Sequence, residues 1–577
     1  MTKLIVERNV AVPMRDGTIL RADVYRPDGP GPFPVLLQRT PYGKELSALD
    51  FTLQAAYQGY AVVNQDTRGR WASEGVHYPM RDEFLDGYDS VEWAGAQPWS
   101  SGKVGMFGGS YVGFTQWTAA VMQPPSLKAI FPSVTFPDVY EDVAYPGGVF
   151  ALGTILSWSL VAGVPVALER LGLSEQEKGQ AIQHMIETVN GLSNDSTFKH
   201  LPLEDQPLFA RIGGFPFFTD CLAHPCRDSL WRSLSIAANY GRVQVPAYHL
   251  GGWYDIFTAG TLRNFTAMQK HGGSETARRG QKLIMGPWLH GPLNGLVGEV
   301  DFGFQASGLM INVIGLQLRW FDYWLKGEKN GIMDEPPVRI YVMGRNYWRD
   351  EGEWPLARAV ETPYYLRSRG AANTLHGDGA LSPAPPTVEP VDTYVYDPKN
   401  PVPTRGGGLC CWQAALPAGA YDQRAIEARP DVLVYTSEPL QSDLEVTGPL
   451  RVHLWAATSA PDTCFTAKLV DVGPCGYARN VLDGAVRAAY RQDTAELVPV
   501  PRGEPREYII ELAATSNVFL VGHRIRVEIS SSNFPKLLRH PNTLANAQSE
   551  ADLRPATQVI YHDSEHPSCI VLPVIAA

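Results

Sequence analysis

The stretch Lys103–Gly113, KVGMFGGSYVG, places a serine where it could act as a nucleophile. A hydrophobic run ends in Gly108-Gly109-Ser110, and an amphipathic run begins directly after it. A serine held in a tight strand-to-helix turn needs small neighbours to relieve crowding. Such a turn presents Oγ at the sheet edge, above a helix N-terminus that favours developing negative charge. The generic G-x-S-x-G pattern is met only in part, because Val112 stands at its fifth position and Gly113 comes one residue later. A Gly-Gly-Ser turn alone also occurs in plain loops. Strand, turn and helix in succession single this one out.

A serine hydroxyl needs a base, and the base needs an orienting carboxylate. Where the nucleophile sits on such an elbow, the chain order is Ser, then Asp or Glu, then His. Asp255 follows the strand-like run Pro246–Gly251, in GGWYDIF, and His290 follows Lys282–Met285, in MGPWLHG. Both therefore fall on loops at carboxyl ends of strands, where open α/β sheets bind ligands. Most of the other histidines fit less well: His249 lies inside a strand, His184 on a helical pattern, and His453, His523, His562 and His566 in a β-rich region. Asp66, in NQDTRGR, precedes the nucleophile and reads as a structural partner of Arg68 or Arg70.

A tetrahedral oxyanion requires two donors. The backbone N–H of Tyr111 is one, directly after the nucleophile. The other comes from the loop after an earlier strand, Arg39-Thr40-Pro41-Tyr42, where the Tyr42 hydroxyl is a candidate and a surface tyrosine an equal one by spacing alone. Trp158 and Phe257 are candidates for an apolar acyl pocket. No H-E-x-x-H, Walker or dinucleotide motif is present, and His562, Asp563, His566 and Cys569 read as a solvated loop, so neither a metal nor a cofactor is expected.

The elements that must position these residues follow from the hydrophobic pattern. Pro34–Arg39, Tyr60–Asp66, Lys103–Gly108 and Leu127–Phe131 read as buried strands, with helical spacing over Arg81–Gly95 and Tyr111–Met122. This βαβα rhythm implies a mostly parallel sheet covered on both faces. From about Pro137 to Arg242 the strand signal gives way to helical patterns, which read as a cap inserted over the sheet's carboxyl edge. After about Pro355, short strand-like runs punctuated by Pro, Gly, Ser and Thr suggest an antiparallel sandwich or jelly roll, among them Val432–Tyr435, Leu450–Trp455, Thr466–Val472, Tyr508–Leu512 and Arg524–Ser530. The division expected is a catalytic module at 1–136 and 243–353, a helical cap at 137–242 and a jelly roll at 354–577.

With 577 residues the chain is too long for one core, and its net charge of -11 argues against nucleic acid or an anionic membrane as partner. The uncharged segment Gly147–Leu168 is long enough to span a bilayer, but its glycines, proline and hydroxyl residues favour a buried helix or helical pair. The N-terminus lacks the apolar core of a signal peptide, so the cytoplasm is the expected address. Seven cysteines without C-x-x-C spacing indicate no disulfide framework. The adjacent Cys410 and Cys411 allow a vicinal disulfide, with two free thiols preferred.

VPMRDGTILRADVYRP, RTPYGKE, GYAVVNQDTRGRWASEG, KVGMFGGSYVGFTQW, GGWYDIF, GPWLHGP and ATSNVFLVGHRIRVEISSSNFPK together run nearly end to end. In these stretches the chain resembles the bacterial cocaine esterase-like (CocE/NonD) hydrolases, in the clan of X-prolyl dipeptidyl peptidases and α-amino-acid ester hydrolases. The resemblance implies an α/β-hydrolase core with an inserted helical cap and a C-terminal β jelly roll. It implies Ser110, Asp255 and His290 as catalytic triad, Tyr42 with the Tyr111 N–H as oxyanion hole, and Trp158 and Phe257 as substrate-binding residues. In this family the glycine lies three residues after the serine, as Gly113 does. The chain departs from it at Tyr140–Gly148, which is shorter, and at Gly406–Trp412, GGGLCCW, where the jelly roll is expected to approach the site. The expected activity is hydrolysis of carboxylic esters, aryl or hydrophobic, or related amides, on a small-molecule substrate. The alternatives are an α-amino-acid ester hydrolase or X-prolyl dipeptidyl peptidase with the same triad, or a non-catalytic carbohydrate- or partner-binding protein. The oligomeric state stays open, a homodimer being one option.

Overall fold

Buried strands with no exposed face dominate the first half of the chain, and they assemble as parallel strands do when both faces are covered. In the computed structural model, which describes residues 3–45, 49–212, 214–491, 493–545 and 550–576, these strands form one ten-stranded sheet. The remaining residues of each expected module (1–2 and 46–48, then 213, then 492, 546–549 and 577) lie outside the described residues. The strands are β1 (Leu4–Pro13), β2 (Ile19–Pro27), β3 (Phe33–Thr40), β4 (Ala61–Asp66), β5 (Ser100–Gly109), β6 (Leu127–Ser133), β7 (Ala247–Tyr254) and β8 (Gln281–Leu289), followed by Val338–Val342 and Tyr347–Glu351. Their order is β1-β2-β4-β3-β5-β6-β7-β8, with the last two beyond β8. Pairing is parallel from β4 across to Val338–Val342 and antiparallel at the two edges.

Alternation along the strands divides two cores. Val35, Leu37 and Val63 face α2 (Glu83–Gly95) and α3 (Tyr111–Met122), whereas Leu36 and Val62 face α1 (Leu49–Tyr57) and the helix Val313–Phe321. The hairpin β1–β2 is not among the strands anticipated from sequence. β1 is an edge strand with mixed burial, so its pattern LIVERNVAVP carries no clean hydrophobic face.

The cap enters between β6 and β7, and its elements from Tyr140 to Arg242 are all helical or turn-like among the described residues. The uncharged segment becomes α4 (Leu152–Trp158), a π-helical turn at Ser159–Gly163 and α5 (Val164–Arg170). This run, Leu152–Arg170, is long and apolar enough to cross a bilayer by composition, yet Leu152, Ile155, Leu156, Leu160 and Val164 are buried in the core of the protein.

From Ala359 onward the strands pair in a second, mostly antiparallel β domain, the parallel pairing of Ala380–Ser382 with Leu433–Thr436 being the exception. Leu450, Val452 and Leu454 point into its core while Arg451, His453 and Trp455 point outward, the period expected of a half-covered sheet. This domain is docked on the first: Trp253, Tyr254, Phe302 and Trp354 share one apolar cluster with Ala514 and Val518.

Candidate active site

Three strands of the parallel sheet, two of them adjacent, end at one place. β5 runs directly into Ser110, β7 into Asp255 and β8 into His290. His290 Nε2 lies 2.9 Å from Ser110 Oγ, and His290 Nδ1 lies 2.6 Å from Asp255 Oδ1. The Asp255 side chain is fully buried and that of His290 nearly so, which keeps the pair out of competing water. Phe257 sets its ring edge-on to His290 at 5.1 Å between centroids and fixes the imidazole plane from the other side.

The elbow is strained at Ser110. Ser110 adopts φ 60, ψ -126, a region an L-residue occupies only when its surroundings enforce it. Its carbonyl accepts from the Thr135 hydroxyl and from the amides of Gly113 and Phe114, while its own amide donates to Ser133 O. A Cβ at Gly108, where φ is +125, would lie 2.3 Å from a Val112 methyl, and a Cβ at Gly113 would lie 2.6 Å from Thr135 Cβ. The glycine at 113 is therefore required by the neighbouring loop, and Val112 is accommodated because residue 108 has no side chain.

Tyr111 opens α3, so its amide has no acceptor within the helix and is free to meet an anion. Its side chain is anchored elsewhere, donating to Glu83 Oε1 at 2.8 Å and accepting from the Met80 amide. The Tyr42 hydroxyl accepts from Trp158 Nε1 at 3.1 Å. Burial raises the Tyr42 pKa, outweighing the opposing hydrogen bonds from Trp158 and Ser110, so this hydroxyl keeps its proton. Trp158 thus does two things: it stacks on Tyr111 at 6.3 Å and orients Tyr42. The second role was not legible in the sequence, since the two residues stand 116 positions apart.

Beside Ser110 lies a small cavity of about 30 Å³, walled by Met80, Phe136, Ile155, Trp158, Phe217 and Phe257. Cys410 and Cys411 complete the wall. Two expectations are corrected here. Cys410 and Cys411 are joined as a vicinal disulfide and not two free thiols. Asp66 pairs with Lys44, whose Nζ is 2.9 Å away, and with neither arginine. Arg68 faces Asp16 and Asp86 instead, and Arg70 donates to the carbonyls of Pro41 and Ala162, tying the Tyr42 loop to the cap. These pairings are decided by which side chains meet in space. Elsewhere, His249 bonds Gln281, His562 is held by Asp392, and His566 faces Asp563.

Comparison with known proteins identifies the family and the fold. The family described as X-Pro dipeptidyl-peptidase (S15 family) matches residues 16–292, and the X-Pro dipeptidyl-peptidase C-terminal non-catalytic domain matches residues 330–571. The chain is 41% identical to the cocaine esterase of Rhodococcus sp. (strain MB1 Bresler), over 99% of this chain and 98% of that protein. Its fold is similar to an aminopeptidase from a marine sediment Thaumarchaeota archaeon, with TM-score 0.82, 26% identity, and coverage of 100% of this chain and 97% of the other. An α-amino acid ester hydrolase gives TM-score 0.80 at 26% identity, covering 99% and 97% of the two chains. The chain belongs to the CocE/NonD family of serine hydrolases, an S15-type α/β-hydrolase sheet with inserted helices followed by a mostly antiparallel PepX_C domain.

Proposed function

We propose that the protein hydrolyses carboxylic esters with an apolar acyl group, through an acyl-enzyme on Ser110. The hydrogen-bonded series Asp255–His290–Ser110, set at the ends of β7, β8 and β5, carries this reading. His290 Nε2 takes the proton as Ser110 Oγ attacks the carbonyl, and Asp255 holds the imidazole in the required tautomer through Nδ1. The Tyr42 hydroxyl and the Tyr111 amide receive the oxyanion. His290 then protonates the departing alcohol, and water repeats the sequence on the acyl-enzyme.

The cavity favours an ester with an uncharged acyl group over the α-amino-acyl alternative. An ammonium group beside the carbonyl would need a carboxylate in reach, and none of the described residues lining the cavity is acidic. Ser110→Ala is expected to abolish turnover of every ester tested and to remove labelling by a fluorophosphonate, because triad members act as a unit. Turnover retained in that variant would overturn the assignment. Competition between free-amine and N-blocked substrates separates the two acyl classes.

A further inference from the structure

One part of the cavity wall comes from neither the catalytic module nor the cap but from a strap of the C-terminal domain. Gly407 and Gly419 close its base by exchanging amide-to-carbonyl bonds of 2.7 and 2.9 Å. Leu409, Leu416 and Ala418 pin its interior into the main core. Gly408 passes so close to the catalytic loop that a Cβ there would lie 2.9 Å from Asp255 O. The strap tip brings Cys410 and Cys411 to the cavity, Cys410 buried and Cys411 half-buried. Cys411 is held at φ 79, a conformation that an L-residue keeps only where neighbours impose it.

Space lies behind this wall. A crevice of about 740 Å³ at the junction of sheet, cap and C-terminal domain shares Val143 and Thr154 with the small cavity. Successive residues of the strap line both, Gly407 and Gly408 the crevice and Cys410 and Cys411 the cavity. At about 30 Å³, set against roughly 10–15 Å³ for each water-sized position, the cavity holds only a short acyl group. Larger groups require the wall to move.

We propose that the Cys410–Cys411 disulfide sets the size of the acyl pocket, and that its reduction by a dithiol opens the pocket toward the crevice and shifts selectivity to bulkier acyl groups. The proposal rests on the reading that this cavity receives the acyl side of the ester. The reductant's thiolate attacks Cys411 Sγ, the more exposed sulfur; the Cys410–Cys411 bond breaks and Cys410 leaves as a thiolate that takes up a proton. The second thiol of the reductant closes on the mixed disulfide and releases Cys411. Two electrons and two protons enter the protein, and the reductant leaves as its own disulfide. The base of the strap is unaffected, because its hydrogen bonds and buried leucines do not involve the sulfurs.

The test compares p-nitrophenyl acetate, butyrate and benzoate in three preparations: native enzyme, enzyme treated with dithiothreitol, and Cys410→Ala/Cys411→Ala. Alkylation and peptide mapping score the disulfide in each. The benzoate-to-acetate ratio of kcat/KM is expected to rise about tenfold or more on reduction and in the double variant. Dithiothreitol should not change the double variant further, and a leaving-group series of acetates should keep its ranking. If the double variant does not fold, Cys411→Ser and the native/reduced pair give the same readout. An unchanged ratio, alkylation of both cysteines without reductant, or a shift confined to the leaving-group series overturns the proposal. Absence of turnover with every ester, together with no fluorophosphonate labelling at Ser110, overturns the acyl-enzyme reading beneath it and the proposal with it.

Discussion

A phenol serves as an oxyanion donor only if its proton points at the anion and stays in place. At Tyr42 the Trp158 indole occupies the oxygen from one side, and burial holds the hydroxyl in its protonated form. Tyr42→Phe should therefore lower kcat by about 10²-fold, near 3 kcal/mol of barrier, with KM changed only a few-fold. Steady-state kinetics on one ester decides it: a large rise in KM with kcat preserved would remove Tyr42 from the oxyanion site. Arg70 acts nearby without touching substrate. Its buried guanidinium spends its donors on carbonyls of the Tyr42 loop and the cap, and burial brings its pKa down to about 10.

Among the elements, the elbow depends on the closeness of α3 to the loop after β6. Gly113→Ala would force a methyl group into Thr135, an overpacking expected to cost about 1–3 kcal/mol and to disturb the Ser110 turn. Thermal unfolding and fluorophosphonate labelling should both fall; a variant unchanged in both would show that the contact relaxes freely. β7 carries a different constraint. His249 is buried between Trp117 and Phe265, and burial, only partly offset by the bond to Gln281, lowers its pKa from 6.5 to about 4. The unfolded chain takes up a proton that the folded chain refuses, so this residue's stabilising contribution is lost as pH falls from about 6.5 to 4. At pH 5 the loss from this residue is about 2 kcal/mol. His249→Phe should narrow the difference in Tm between pH 7 and pH 5; a drop as steep as that of the unsubstituted protein would contradict the assignment.

At the scale of the molecule, the two sheets are coupled through shared core and shared site. Trp253 and Tyr254, directly before Asp255, pack in a cluster that includes Val518, and the Tyr254 hydroxyl donates to Asn480 O at 2.9 Å. The strap that walls the cavity belongs to the C-terminal domain, yet its leucines lie in the catalytic core. Unfolding of one sheet thus exposes apolar surface of the other, and calorimetry should record a single transition in which loss of activity coincides with loss of β structure. Two separated transitions would show that the interface contributes little.

Much of the site could be read from local pattern. The buried strands, the glycines around Ser110 and the chain order Ser110, Asp255, His290 are all consequences of periodicity and steric need over a few residues. The extended run of short strands likewise marked a second β domain after Pro355. The edge hairpin β1–β2 escaped because an edge strand buries too little to impose a pattern. Partner choice escaped as well: Asp66 with Lys44, Trp158 with Tyr42, and the joining of Cys410 to Cys411 where the sequence alone favours free thiols. Local sequence determines which conformation a segment adopts, whereas a hydrogen bond, an ion pair or a pocket wall depends on distances between segments far apart in the chain. Only the packing of sheet, cap and strap decides those distances, and with them the size of the cavity beside Ser110.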